Sequence, residues 1–151
     1  MKALFQLASL SILLLSCGRE PDGAQTANPA LEGTWQLYRA TLVEKGDTTV
    51  TDYTGKTSFI KVINGSHFAF LQHGRDKDTS VAFAAGGGRY ELRDSLYTEH
   101  LEYCNDRNWE GHDFAFTIRI KNDTLVQRGV EKIESAGIDR LNTEEYVRVK
   151  Q

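Results

Sequence analysis

The chain has 151 residues, 40% of them hydrophobic and 26% charged, a balance that suits one globular core and excludes a disordered or membrane-embedded polypeptide. A formal net charge of −3 leaves no basic excess, which argues against nucleic acid as a partner and against an anionic bilayer recruited by charge. The two prolines both precede residue 30, and the 13 glycines fall mostly between apolar segments, which favours strands joined by short turns over long helices.

Residues 1–16 read as a targeting segment, with Lys2 as the positive n-region and an almost wholly apolar run over residues 3–15. That run is too short to span a bilayer. It ends in Leu14-Leu15-Ser16-Cys17, which resembles the lipobox of bacterial lipoproteins; the alternative is a plain secretory signal with a chance cysteine. The resemblance implies cleavage before Cys17, acylation of its thiol and stable anchoring by several acyl chains, each buried methylene contributing about 0.8 kcal/mol. Gly18 after the cysteine, in place of Asp, implies the outer membrane of a bacterial cell envelope. With Cys17 lipidated, Cys104 has no cysteine partner, and it is expected to be a small, partly buried residue at a strand end. Residues 17–29 are polar and aperiodic, a flexible tether of up to about 40 Å, and the folded domain is expected over residues 30–151.

From Leu31 the dominant hydrophobic period is two. A first strand is expected over residues 33–44. Residues 58–63 and 66–72 flank Asn64-Gly65, a pair that tolerates the positive φ angles of a type I′ turn; this register sets Ile60 opposite Ala69 and Phe59 opposite Phe70. Both faces of that hairpin are apolar, so its inward face stays open. Gly86-Gly87-Gly88 marks a bend or bulge at a barrel corner, without the spaced glycines and following helix of a phosphate loop. A turn at Asp94-Ser95 then sets Leu92 opposite Tyr97 and Tyr90 opposite Glu99. One face of the returning strand carries Tyr97, Glu99, Leu101 and Tyr103, and hydrophobicity turns it inward; Thr98, His100, Glu102 and Cys104 form the other. Phe114, Phe116, Ile118 and Ile120 alternate with Ala115, Thr117, Arg119 and Lys121, and burying each of the first four contributes about 1.5–3 kcal/mol before entropy. Asn122-Asp123 turns the chain into residues 124–129. Residues 131–140 are irregular, a short helix or a lid, and residues 144–150 form the last strand. The sum is an all-β, antiparallel up-and-down barrel of about eight or nine strands, whose closure leaves no exposed edge.

Gly33-Thr34-Trp35 resembles the Gly-x-Trp signature of lipocalins, and Arg148 is placed like the basic residue that packs over that tryptophan. Together with the glycine-rich bend through Arg89 and Tyr90, the Tyr97-Thr-Glu-His-Leu-Glu-Tyr103 strand and the closing Glu145-Tyr-Val-Arg148, the chain resembles the bacterial lipocalin-like domain family over residues 31–150. The resemblance implies a calyx for a small molecule, with Gly33, Trp35 and Arg148 closing its bottom through cation–π packing. The chain is shorter than most lipocalins and lacks their disulfide.

No catalytic set emerges: serines and histidines occur without a nucleophile elbow or a base partner, and no cofactor is implied. Metal binding is not expected, because Glu99 and His100 face opposite ways and His67 and His73 would lie about 20 Å apart on one strand. Glu99 carries the chemistry that remains. A buried carboxylate must meet a tyrosine hydroxyl, a cation such as Lys61 or Arg39, or a ligand, or else take up a proton. The leading expectation is a membrane-anchored, non-enzymatic barrel binding a small, partly apolar ligand, with Tyr90, Tyr97, Glu99 and Tyr103 as polar contacts and Phe114 and Phe116 as the apolar wall. The alternative is a filled barrel whose outer face docks an envelope protein.

Overall fold

The computed structural model describes residues 28–77 and 80–150. The targeting segment of residues 1–16, Cys17 and most of the tether lie outside the described residues. Nine strands run through the described residues: β1 (Gly33–Glu44), β2 (Asp47–Asp52), β3 (Thr57–Ile63), β4 (His67–Gly74), β5 (Ala84–Arg93), β6 (Leu96–Cys104), β7 (His112–Lys121), β8 (Thr124–Ile133) and β9 (Ile138–Arg148). From β3 onward each pairs antiparallel with the next, and β9 returns to β1, closing an eight-stranded up-and-down barrel of lipocalin-like architecture to which β2 is added.

β1 organises the closure. Its first residues pair with β3, from Gly33 opposite Ile63 to Gln36 opposite Ile60, and its last with β2, from Arg39 opposite Asp52 to Glu44 opposite Asp47. Its other edge pairs along its length with β9. β2 is exposed throughout, so nothing in its Asp-Thr-Thr-Val-Thr-Asp sequence alternates between core and solvent.

One end of the barrel is sealed. Leu31 and Trp35 are fully buried there. The Arg148 guanidinium lies 4.1 Å above the Trp35 ring, while the indole Nε1 donates to the Leu31 carbonyl at 2.8 Å. Arg148 also donates to the carbonyls of Glu32 and Ala30. Gly33, at φ 136°, leaves the space this guanidinium occupies, since a Cβ there would come within 2.6 Å of Arg148 Nη1.

Three local expectations are corrected. The β3–β4 hairpin pairs Phe59 with Gln72 and Ile60 with Leu71, a shift that keeps each residue on its face. Neither Asn64 nor Gly65 takes a positive φ. Instead the Asn64 side chain accepts from the backbone N–H groups of Ser66 and His67 at 2.9 and 2.8 Å, an Asx turn that moves the bend one residue along. The irregular stretch of residues 131–140 shrinks to one 3₁₀ turn, Glu134–Ala136, because β8 and β9 pair up to Ile133 opposite Ile138.

The third correction is a bulge. Gly87 faces Tyr103 and Gly88 faces Leu101, so Glu102 is an extra residue on β6. A Cβ on Gly88 would run into the His100 backbone oxygen and come within 2.8 Å of the Glu102 nitrogen. The glycines thus make room for a bulge in the neighbouring strand. Beyond it the alternation of β6 inverts: Tyr103 turns outward, 67% exposed, and Cys104 turns inward.

Candidate functional site: a calyx with an ionised floor

Opposite the sealed end the barrel holds a cavity of about 420 Å³, within the range of small-molecule sites. Its walls are largely aromatic. Phe59 of β3 stacks on Phe70 of β4, ring centres 5.6 Å apart, and Tyr53 meets Phe59 edge-on at 5.9 Å. On the far side Trp109, from the loop before β7, packs against Phe114 at 5.6 Å, with Phe116 deeper on the same strand. Phe83 lines the rim and is itself 61% exposed.

The floor is polar and ionised. Lys61, 3% exposed, donates to Glu99 Oε1 at 2.7 Å and to Gln127 Oε1 at 3.1 Å, and its Nζ lies 3.8 Å from Glu144. Glu144 accepts from the Tyr146 hydroxyl at 2.7 Å. Glu131 accepts from Arg140 at 2.6 Å and from the Asn142 amide at 2.8 Å, and the same amide reaches Glu144 at 3.3 Å. The Arg140 guanidinium lies 4.9 Å above the Trp109 ring, joining floor to wall.

Strand pairing assembles this floor. Glu131 sits opposite Arg140, Gly129 opposite Asn142 and Gln127 opposite Glu144, so inward residues of β8 and β9 meet in register. Gly129 leaves no side chain in a row where a Cβ would come within 2.7 Å of the Phe116 ring.

Burial, opposed by Lys61, holds the Glu99 carboxyl above its ordinary value, and burial opposed by Arg140 does the same to Glu131. Burial works against the charge on Lys61, but the carboxylates of Glu99 and Glu144 outweigh it and its pKa is raised. Burial and the adjacent carboxylates, Glu99 and Glu144 respectively, hold the Tyr97 and Tyr146 hydroxyls well above the usual phenol value.

Of the residues singled out from sequence, Glu99, Phe114 and Phe116 line the cavity. Tyr97 and Tyr90 do not: both are buried below it, their rings 5.1 Å apart, and the Tyr90 hydroxyl donates to the Asn64 carbonyl at 2.8 Å. Tyr103 is outside the barrel altogether, turned out by the Glu102 bulge. Arg39 also points outward, 3.6 Å from Glu145, leaving Lys61 as the partner of Glu99. Sequence reasoning missed Gln127, Glu131, Arg140, Asn142, Glu144 and Trp109 as site residues. Strict alternation from Leu125 to Ile133 and from Arg140 to Arg148 would have put the first five inward.

No protein-family model and no curated protein sequence matches the chain. Among solved structures, an uncharacterized protein from Bacteroides eggerthii is similar to it at 13% identity and a TM-score of 0.47, over 78% of this chain and 98% of that one.

Proposed function

We propose that the protein is a lipid-anchored, non-enzymatic carrier or sensor that holds a small, partly apolar molecule in its calyx. The observation that supports this most is the cavity itself: about 420 Å³ in an eight-stranded barrel, walled by Phe59, Phe70, Trp109, Phe114 and Phe116 over a polar floor. An eight-stranded barrel can be filled by its own side chains or can hold one small ligand, and space on this scale supports the second. The anchor rests on Leu14-Leu15-Ser16-Cys17, and the outer membrane on Gly18, both by resemblance to bacterial lipoproteins.

Native mass spectrometry of the protein released from membranes tests the calyx. The expected spectrum carries an adduct of one small molecule, lost in the Ala84→Trp variant, whose side chain would crowd the cavity. A bare mass for the wild type, or an adduct that survives this substitution, overturns the reading. The anchor is tested by Cys17→Ser, which should move the protein from the membrane to the soluble fraction.

One observation favours a protein-docking reading. Val62, Ala69, Gly87 and Tyr103 lie in one row across four strands, and with Leu71 they form an apolar outer strip; Val62 is 39%, Leu71 40% and Tyr103 67% exposed. A Tyr103→Lys variant that loses a membrane partner in crosslinking, with the adduct unchanged, would support docking on that face.

A further inference from the structure

The floor of the calyx holds more acid than base. Lys61 and Arg140 stand against Glu99, Glu131 and Glu144, and all five line the cavity. Both cations are already engaged, Lys61 with Glu99 at 2.7 Å and Glu144 at 3.8 Å, Arg140 with Glu131 at 2.6 Å, so three carboxyl groups share two cations. Arg39, the cation on neighbouring β1, points out of the barrel to Glu145. The three carboxylate side chains are 9%, 10% and 15% exposed for Glu99, Glu131 and Glu144, enough to be touched from the cavity they line.

A second observation is independent of this charge count. Asn142, 5% exposed and inward on β9, gives its amide hydrogens to Glu131 and Glu144. An ionised carboxylate only accepts, which fixes the amide's orientation and leaves Asn142 Oδ1 buried without a donor. The floor therefore lacks one positive charge and one N–H. A neutral apolar ligand would supply neither, and an anionic one would add to the excess. The rings above, Phe59, Phe70 and Trp109, offer an apolar wall to the body of a ligand.

We propose that the calyx selects a small organic cation, an ammonium group on an apolar or aromatic body, with the ammonium seated among Glu131, Glu144 and Asn142 and the body against Phe59, Phe70 and Trp109. This rests on the calyx reading above and names the chemical class of its ligand.

Three probes with one indole ring and different charge test the selection: tryptamine, positive; tryptophol, neutral; indole-3-acetate, negative. Each is titrated into the purified full chain by calorimetry at pH 7. Tryptamine should bind at least tenfold more tightly than tryptophol, with indole-3-acetate weakest, and Glu131→Gln should reduce the tryptamine preference while leaving tryptophol within about twofold. The comparison on the wild type needs no variant to fold. Equal binding of the three probes, or a preference for indole-3-acetate, overturns the cation assignment and leaves the calyx reading standing. A neutral or anionic molecule co-purifying with the protein, lost in Ala84→Trp, does the same. No binding of any probe, together with a bare native mass, overturns both.

Discussion

Lys61 shows how much one side chain can hold together in a barrel interior. Its ammonium is 3% exposed and serves Glu99, Gln127 and the nearby Glu144. Removing one member of a buried ion pair leaves the other charge uncompensated, a loss on the order of 3–5 kcal/mol, whereas replacing both by apolar groups often costs far less. Lys61→Met should therefore lower the unfolding free energy measured in urea by about 3–5 kcal/mol, and Lys61→Met with Glu99→Leu should recover part of it. A double variant less stable than the single one would show that Glu99 is held by something other than Lys61. Glu99 itself was legible in the sequence, because it alternates with Tyr97 and Leu101 on a strand with one apolar face. The rest of the floor was not. Gln127, Glu131, Arg140, Asn142 and Glu144 have the composition of a solvent face, while Val130 and Val147 on the true outer face are 54% and 41% exposed. On β8 and β9 both faces mix apolar and polar residues, so only alternation counted from Leu125, Ile133 and Tyr146 separates them.

At the scale of elements, the Gly86-Gly87-Gly88 run and the Glu102 bulge act as one device. The glycines predicted a bulge at the right place, but the extra residue lies on the partner strand, which is why Tyr103 was assigned inward and Cys104 outward. Position 88 is the most constrained, since a Cβ there would meet the His100 oxygen and the Glu102 nitrogen, both backbone atoms that cannot swing away. Gly88→Ala should destabilise the fold by about 1–3 kcal/mol in chemical unfolding, the usual range for overpacking. Gly55→Ala, where a Cβ would meet nothing within 4 Å, serves as the control and should stay within about 0.5 kcal/mol. Equal effects at the two positions would mean that the bulge does not depend on the missing side chain. The strand boundaries were easier to read than the register: β1 and the alternating part of β7 follow directly from period two. The β3–β4 register depends on the Asx turn at Asn64, a side-chain choice that Asn-Gly alone does not dictate.

For the whole molecule, the buried hydroxyls and the buried ammonium set an alkaline limit. Tyr97 and Tyr146 are raised from an ordinary 10.0 by burial and then by Glu99 and Glu144, and Lys61 is raised from an ordinary 10.5 because those carboxylates outweigh its burial. Each group keeps its proton more firmly folded than unfolded, so the stability it contributes is whole below pH 10.0 and is lost as pH rises above that value toward the folded-state values. Thermal unfolding followed by circular dichroism from pH 8 to 11.5 should show a flat melting temperature up to about pH 10 and a steep fall beyond it. A flat profile to pH 11.5 would mean that these groups titrate alike in both states. The sealed end has a consequence of a different kind, for orientation. β1 begins there, at Gly33 beside Trp35 and Arg148, and Leu42 at the cavity lies seven residues beyond Trp35 on the same strand, about 23 Å away. The segment preceding residue 28 is thus attached to the plugged end of the barrel. In the proposed lipoprotein the anchor would thus be joined to the end of the barrel opposite the cavity, leaving the mouth clear of the point of attachment.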